Sequence, residues 1–343
     1  MQPHQALSEK ARSRRAVLVM SALGAFLLVM FIVAINSGEI RLGPWQVIKT
    51  LFGFGDARQR LVIIDFRLPR IVISMLIGAC FAVSGCILQG ITRNALADSG
   101  ILGINAGAGL VVVLYVYLFP LKTSASPFMM PFLALFGAGV TALLIYMLAF
   151  KRHQGLSPIR LLLVGIGVQA GISAAMIILT IRLDPNQFQF VQVWIAGSIW
   201  GTKWDFVFAH LPWFLILVPL AFSKAKTLNI LSLGEQTATG LGAPVEKDRL
   251  IMLAVAVGLA ASSVAVGGGI GFVGLVAPHL ARRLVGPQHQ FSLPASALIG
   301  ALLVLVADTI GRTISAPSEI ATGIVVAVIG APYFLYLLSR SRV

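Results

Sequence analysis

The sequence predicts an all-α integral membrane protein of about ten transmembrane helices. Ten apolar stretches recur between residues 16 and 338, each close to the length a helix needs to cross a bilayer. Hydrophobic residues make up 58 % of the 343 and charged residues 11 %, with a mean hydropathy of +0.92. Charges that sparse cannot coat a water-soluble surface of this size. Lys and Arg also gather on one side of the expected spans, as the positive-inside rule requires.

The first span is 16–36, twenty-one residues without a charge. As a helix it is about 30 Å long, the thickness of the hydrocarbon core. Lys10, Arg12, Arg14 and Arg15 precede it, but the apolar run is too long for a signal h-region, and no small-residue cleavage pattern follows. It is therefore expected to stay as a span. The others are 71–91, 101–119, 130–150, 160–182, 206–223, 249–266, 268–285, 294–311 and 320–338. Only Gly267, Gly268 and Gly269 separate the seventh from the eighth. One transmembrane domain is expected over 1–343, with 1–15 as a tail and 224–248 as the longest loop on the tail's side.

An even number of spans with the N-terminus inside places both termini inside. Sixteen of the 26 Lys and Arg then lie inside, at the N-terminus, Arg93, Lys151, Arg152, Arg160, Lys224, Lys226, Lys247, Arg249, Arg282, Arg283, Arg340 and Arg342. Six of the remaining ten sit in 37–70, a basic outer segment that needs a reason of its own. The net charge of +14 does not point to nucleic acid, because no basic stripe with interleaved aromatics is present.

Glycine pairs at i, i+4, namely Gly103/Gly107, Gly167/Gly171 and Gly267/Gly271, suit close helix packing. The fifth span carries Gly165, Gly167, Gln169, Gly171, Ser173 and Met176, small and polar for lipid contact, so it is expected to face protein or a cavity. Cys80 and Cys86 lie about 9 Å apart along one helix, too far for a disulfide, and read as packing residues.

Several chemistries are missing from the sequence. Asp98, His279, Asp308 and Glu319 fall near span ends, so no midplane carboxylate marks an ion-coupled carrier. No G-x-x-x-x-G-K-[ST] binds ATP, and no His/Cys cluster or H-E-x-x-H offers a metal or hydrolase site. Energy for active transport would have to come from another subunit. The loop 224–248 could receive it: Ser232 with Glu235 has capping-box spacing, and Gly240 and Gly242 are stop signals, so one or two short surface helices are expected. An ordinary amphipathic connector fits the same pattern.

Five groups of residues carry a family resemblance. Arg67-Leu68-Pro69-Arg70 opens the second span, and Gly85-x-x-Leu88-Gln89 leads to Arg93-Asn94-Ala95-Leu96-Ala97-Asp98 and Leu102-Gly103. Trp194-x-x-Gly197-Ser198 precedes the sixth span, and Leu233-Gly234-Glu235 with Leu241-Gly242 lies in the long loop. Gly269-Ile270-Gly271-Phe272-Val273-Gly274-Leu275-x-x-Pro278-His279-x-x-Arg282 is followed by Ala307-Asp308-x-x-x-Arg312 and Glu319-x-x-x-Gly323. From about residue 35 to the end, the chain resembles the FecCD/BtuC-type permease subunits of type II ABC importers for iron–siderophores, haem and cobalamin.

The resemblance implies a ten-helix permease that pairs with a second permease subunit, as a homodimer or with a paralogue. Two cytoplasmic ATP-binding subunits and an extracytoplasmic substrate-binding protein complete the assembly. Such a chain is no enzyme by itself: it carries no cofactor, and ATP and Mg belong to the partner ATPase. Arg67, Arg70 and Arg312 match the arginines that dock the binding protein. Interfacial anchoring is the other reading of Arg67 and Arg70. Leu233, Gly234, Glu235, Leu241 and Gly242 match the ATPase-coupling element, and Asn94, Leu96 and Ser157 the cytoplasmic gate. Helices five and ten would line the path, with Gly165, Gln169, Ser173 and Met176 as candidates.

The chain departs from the family pattern at Ala95, Ser99 and Ala321, which replace prolines. His279 reads as a helix-end hydrogen-bonding residue or a metal ligand, and Asp308 and Arg312 can pair along one helix face. The expected function is ATP-driven import of an iron–siderophore complex across a bacterial inner membrane, with both termini cytoplasmic. Cobalamin or haem is the alternative substrate. A stand-alone carrier or channel, and more remotely a membrane-embedded enzyme, are the alternatives of other classes.

Overall fold

The computed structural model describes residues 3–38, 42–100, 103–119, 129–151, 155–315 and 318–340. Leu102, Arg152 and Arg342, which entered the motif and charge readings, lie outside the described residues. Helix α1 (Pro3–Asn36) is followed by α2 (Pro44–Leu51), α3 (Ala57–Arg60) and a π-helical stretch, Leu61–Arg67, that runs into α4 (Leu68–Thr92). Next come α5 (Ile104–Leu118), α6 (Met129–Ala149) and a small antiparallel hairpin, β1 (Phe150–Lys151) with β2 (Gly155–Leu156). Then follow α7 (Pro158–Thr180), α8 (Pro185–Ile195), α9 (Trp204–Ser223), α10 (Ala225–Ser232) and α11 (Glu235–Gly240). The chain closes with α12 (Val245–Gly267), α13 (Val273–Val285), α14 (His289–Ile314) and α15 (Thr322–Arg340).

Each of the ten apolar stretches has its helix: α1, α4 to α7, α9 and α12 to α15. Seven helices among the described residues are long and apolar enough to cross a membrane, and α5 and Thr322–Tyr336 are shorter apolar helices. Two expectations need correction. The tail 1–15 is helical from Pro3 and continuous with the first span. The eighth span does not start at residue 268: helix begins at Val273, after a stretch in which Gly268 and Phe272 both take positive φ. With 13 residues, α13 is only about 20 Å long. The non-helical stretch makes up the distance, since Gly267 packs on Ile77 while Gly274 packs on Gly85, about 12 Å further along α4.

Helix α4 is the axis of the bundle. Its most apolar window is 83 % buried, against 11 % for those of α1 and α7. Lipid supplies no hydrophobic drive for helix association, so contact depends on close backbone approach. Glycine provides it twice. A Cβ at Gly78 would overlap the Gly300 carbonyl of α14, and one at Gly85 would overlap that of Gly274 in α13. Gly107 meets Gly137 and Thr141 of α6 in the same way, whereas Gly167 and Gly171 of α7 have nothing within 4 Å. Cys80 and Cys86 are buried free thiols.

Candidate functional site

One end of the bundle is tied by arginines. Arg70, just inside α4, grips Asp308 of α14 with Nε 2.9 Å from Oδ1 and Nη2 2.8 Å from Oδ1. Its other nitrogen reaches Glu319 at 2.9 Å, and Thr322 Oγ1 donates to Asp308 Oδ1 at 3.2 Å. Arg312 lies 3.8 Å from Asp308, one helical turn away, and donates to the carbonyls of Ala34 and Ser37. Arg67 Nη1 donates to the Ile35 carbonyl at 2.8 Å. The end of α1 has last-turn carbonyls without helical partners, and the two arginines satisfy them. The structure therefore brings Arg67, Arg70 and Arg312 together and turns them inward. Arg67 and Arg312 are buried, and the Arg70 side chain is 12 % exposed.

The opposite end carries α10 and α11. Gly234 joins them at φ +106°, a conformation that side chains disfavour. The expected capping box does not form: Ser232 Oγ donates to the Asn229 carbonyl, and Glu235 instead pairs with Arg249 at 3.1 Å. Arg249, buried, also donates to the Leu156 carbonyl at 2.7 Å and so ties the β-hairpin to α12. Leu233 and Leu241 stand 59 % and 63 % exposed, and Gly242 turns the chain at φ +78°. These are large apolar surfaces at a rim of otherwise polar residues.

The gate candidates lie at this same end. Arg93 closes α4 in the left-handed conformation, and its guanidinium lies beside Gly234. Asn94 Oδ1 accepts from the Leu96 N–H at 2.9 Å, which shapes the loop, and Leu96 is 38 % exposed. Ser157 caps α7 by position only, with no side-chain hydrogen bond, followed by Pro158. Asp98, in the same loop, is buried with Oδ1 against Gly274 and no hydrogen-bond partner for that oxygen among the described residues. Burial pushes its carboxyl up, partly offset by the N–H groups of Ser99 and Gly100.

At the arginine end a cavity of about 980 Å³ opens on α8 and the start of α15. Its wall includes Phe190, Trp194, Trp200, Gln189, Gln192 and Glu319. Two distant segments build that wall, and a third backs it. A Cβ at Gly268 would overlap the Trp194 carbonyl, one at Gly323 the Ala196 carbonyl, and Gly323 N donates to Gly197 O at 2.8 Å. Close approach is the physical reason those positions are glycine.

Gly165, Gln169, Ser173 and Met176 do not line this cavity. They share one face of α7, and Gly165 and Met176 lie against Gly103 and Gly109 of α5, so that face packs inward. His279 turns its ring toward Tyr333 at 6.1 Å between centroids, and its Nε2 has no hydrogen-bond partner among the described residues.

Comparison with known proteins decides the family. The FecCD transport family matches residues 26–340. The chain belongs to that family. It is 50 % identical over 339 residues to the iron(3+)-hydroxamate import system permease protein FhuG of Bacillus subtilis (strain 168), covering 97 % of this chain and all of that one. It is 37 % identical over 327 residues to the hemin transport system permease protein HmuU of Yersinia pestis, covering 93 % and 96 %. Among solved structures, a metal-chelate type ABC transporter in an inward-facing conformation superposes with a TM-score of 0.83 at 30 % identity, over 94 % of this chain and 99 % of that one. As a FecCD-family member with these helices, the chain is a multi-pass membrane protein of the ABC-importer permease fold.

Proposed function

We propose that this chain is the permease subunit of an ATP-driven importer for an uncharged iron(III)–hydroxamate siderophore. The cavity carries the substrate reading. Among its wall residues the one charge is Glu319, and Arg70 neutralises it at 2.9 Å. A ferric tris-hydroxamate is neutral or weakly cationic and presents apolar edges that suit Trp194, Trp200 and Phe190. A ferric tris-catecholate is a trianion, and haem carries two propionates; each would call for bases that this wall lacks. The 50 % identity to a hydroxamate-system permease supports the same choice.

Membership of the family supports the following assembly. Energy comes from two ATPase subunits, which hold ATP and Mg, and this chain contributes no cofactor. The exposed Leu233 and Leu241, with Gly234, Glu235 and Gly242, form the surface those subunits engage. A binding protein docks at the arginine end. Arg70 is the arginine there with some reach to solvent, while Arg67 and Arg312 hold α1, α4 and α14 in register beneath it. The arginine end is then external and the α10–α11 end cytoplasmic, with both termini. A second permease, this chain or a paralogue, covers the open face of α7, and Asn94, Leu96 and Ser157 gate the inner mouth.

Uptake of radio-iron as ferrichrome, as ferric enterobactin and as haem, in cells with and without this chain, tests the reading. Loss of ferrichrome uptake alone is expected. Intact ferrichrome uptake with lost enterobactin or haem uptake would overturn the substrate and leave the permease reading standing.

A further inference from the structure

The N-terminus of α14 has no cap of its own: Gln288 stands at the N-cap position without a side-chain hydrogen bond. The cap comes from α10. Asn229 Oδ1 accepts from the His289 N–H at 2.9 Å and lies 2.8 Å from His289 Nδ1. Asn229 Nδ2 donates to Gln290 Oε1 at 2.7 Å. Because the backbone N–H requires an acceptor, the amide oxygen faces His289, and Nδ1 must carry the ring proton. The other ring nitrogen, Nε2, lies against Gly90 of α4, where a Cβ would come within 2.9 Å of it. Leu228, beside Asn229, is fully buried and touches the same glycine position.

This places one side chain of α10 on two elements at once. Through His289 it seats against α4 three residues before Arg93, where the gate loop begins. Through the α14 N-terminus it holds a helix about 39 Å long, whose far end carries Asp308 and Arg312. Nothing else in the structure gives α10 a polar hold on α14: Asn229 makes every side-chain hydrogen bond between them among the described residues.

We infer that Asn229 is a positioning residue that transmits displacement of α10 to α14 and to the gate loop. The inference rests on the proposed reading of α10–α11 as the ATPase-facing surface. Asn229 touches neither ATP nor the chelate. Its loss should separate ATP hydrolysis from transport, whereas a purely structural defect lowers both together.

The test uses the complete importer in proteoliposomes, with ATP consumption and radio-iron ferrichrome accumulation measured side by side. Asn229→Leu should raise the ATP spent per iron moved about tenfold or more, the scale of its three lost hydrogen bonds. Asn229→Asp keeps the acceptor for both His289 donors and should stay near the wild-type ratio. Should Asn229→Leu fail to assemble, His289→Ala removes the ring and its seat on Gly90, and it should raise the ratio in the same direction. A wild-type ratio in Asn229→Leu or in that substitute, or an Asn229→Asp protein as uncoupled as the leucine variant, overturns the inference. A wild-type assembly that moves no iron overturns the importer reading instead.

Discussion

Helices α4 and α7 have nearly equal hydropathy, 2.5 and 2.2 in their most apolar windows, yet one is 83 % buried and the other 11 %. Both are rich in glycine. In α4, Gly78 and Gly85 sit against the backbones of α14 and α13, whereas Gly167 and Gly171 of α7 meet nothing within 4 Å among the described residues. The same residue pattern thus serves two purposes. In α4 it closes the fold, and in α7 it leaves a surface that no described residue covers. Lipid alone does not ask for such a face, because lipid tails gain nothing from a glycine stripe.

The largest expected effect lies in α4. Gly85→Val would drive a side chain into the Gly274 carbonyl, a backbone group that cannot step aside. Overpacking of this kind costs about 3 kcal/mol or more, so monodisperse protein should not be recovered in detergent. Recovery at wild-type yield would break the contrast with α7. The converse sharpens it: Gly167→Leu with Gly171→Leu should leave yield and thermal midpoint of the single chain unchanged while the permease pair dissociates on size exclusion.

A buried ion pair comes next. Arg70→Met leaves Asp308, whose side chain is fully buried, with Arg312 at 3.8 Å as its ion-pair partner and the Thr322 hydroxyl at 3.2 Å. Breaking one side of such a pair costs about 3–5 kcal/mol, and removing both sides costs far less. Arg70→Met with Asp308→Leu should therefore recover most of the thermal midpoint lost in the single variant. A double variant no better than the single one would show that the pair is not the source.

The smallest effect belongs to Asp98. Burial raises its folded pKa above the unfolded value, so the folded state holds the proton more tightly. Its favourable contribution is fullest below the unfolded value near about 4 and fades as pH rises toward the folded value. Asn has no such charge to desolvate. The midpoint of Asp98→Asn relative to wild type should grow as pH rises above about 4, and a shrinking gap would contradict the burial argument.

Much of this architecture is legible in the sequence, because hydropathy reports exclusion from water directly. All ten apolar stretches became helices, and the loop 224–248 became α10 and α11. Hydropathy does not distinguish burial in protein from burial in lipid, so the difference between α4 and α7 is invisible in it. Nor does it find where helix stops within a glycine-rich apolar run: the pattern leaves only Gly267, Gly268 and Gly269 between two spans, whereas the chain is non-helical from Gly268 to Phe272. The arginines are visible as candidates, and so is the i, i+4 pairing of Arg312 with Asp308, but their long-range partners are not. Arg70 meets Asp308 across 238 residues, and Asn229 meets His289 across 60, separations that carry no local pattern. The α8–α15 cavity is invisible in the sequence because its wall joins two segments more than a hundred residues apart, whereas Gly165 and Met176 of α7 lie against α5 and its N-cap.

The most direct test of active import is radio-iron ferrichrome accumulation in proteoliposomes holding the permease, its ATPase subunits and its binding protein, with and without ATP on the α10–α11 side. Accumulation against a gradient that stops when ATP or the ATPase is withheld is the expected result. Iron flux through the permease that continues without either would contradict it and return the chain to the class of stand-alone carriers or channels.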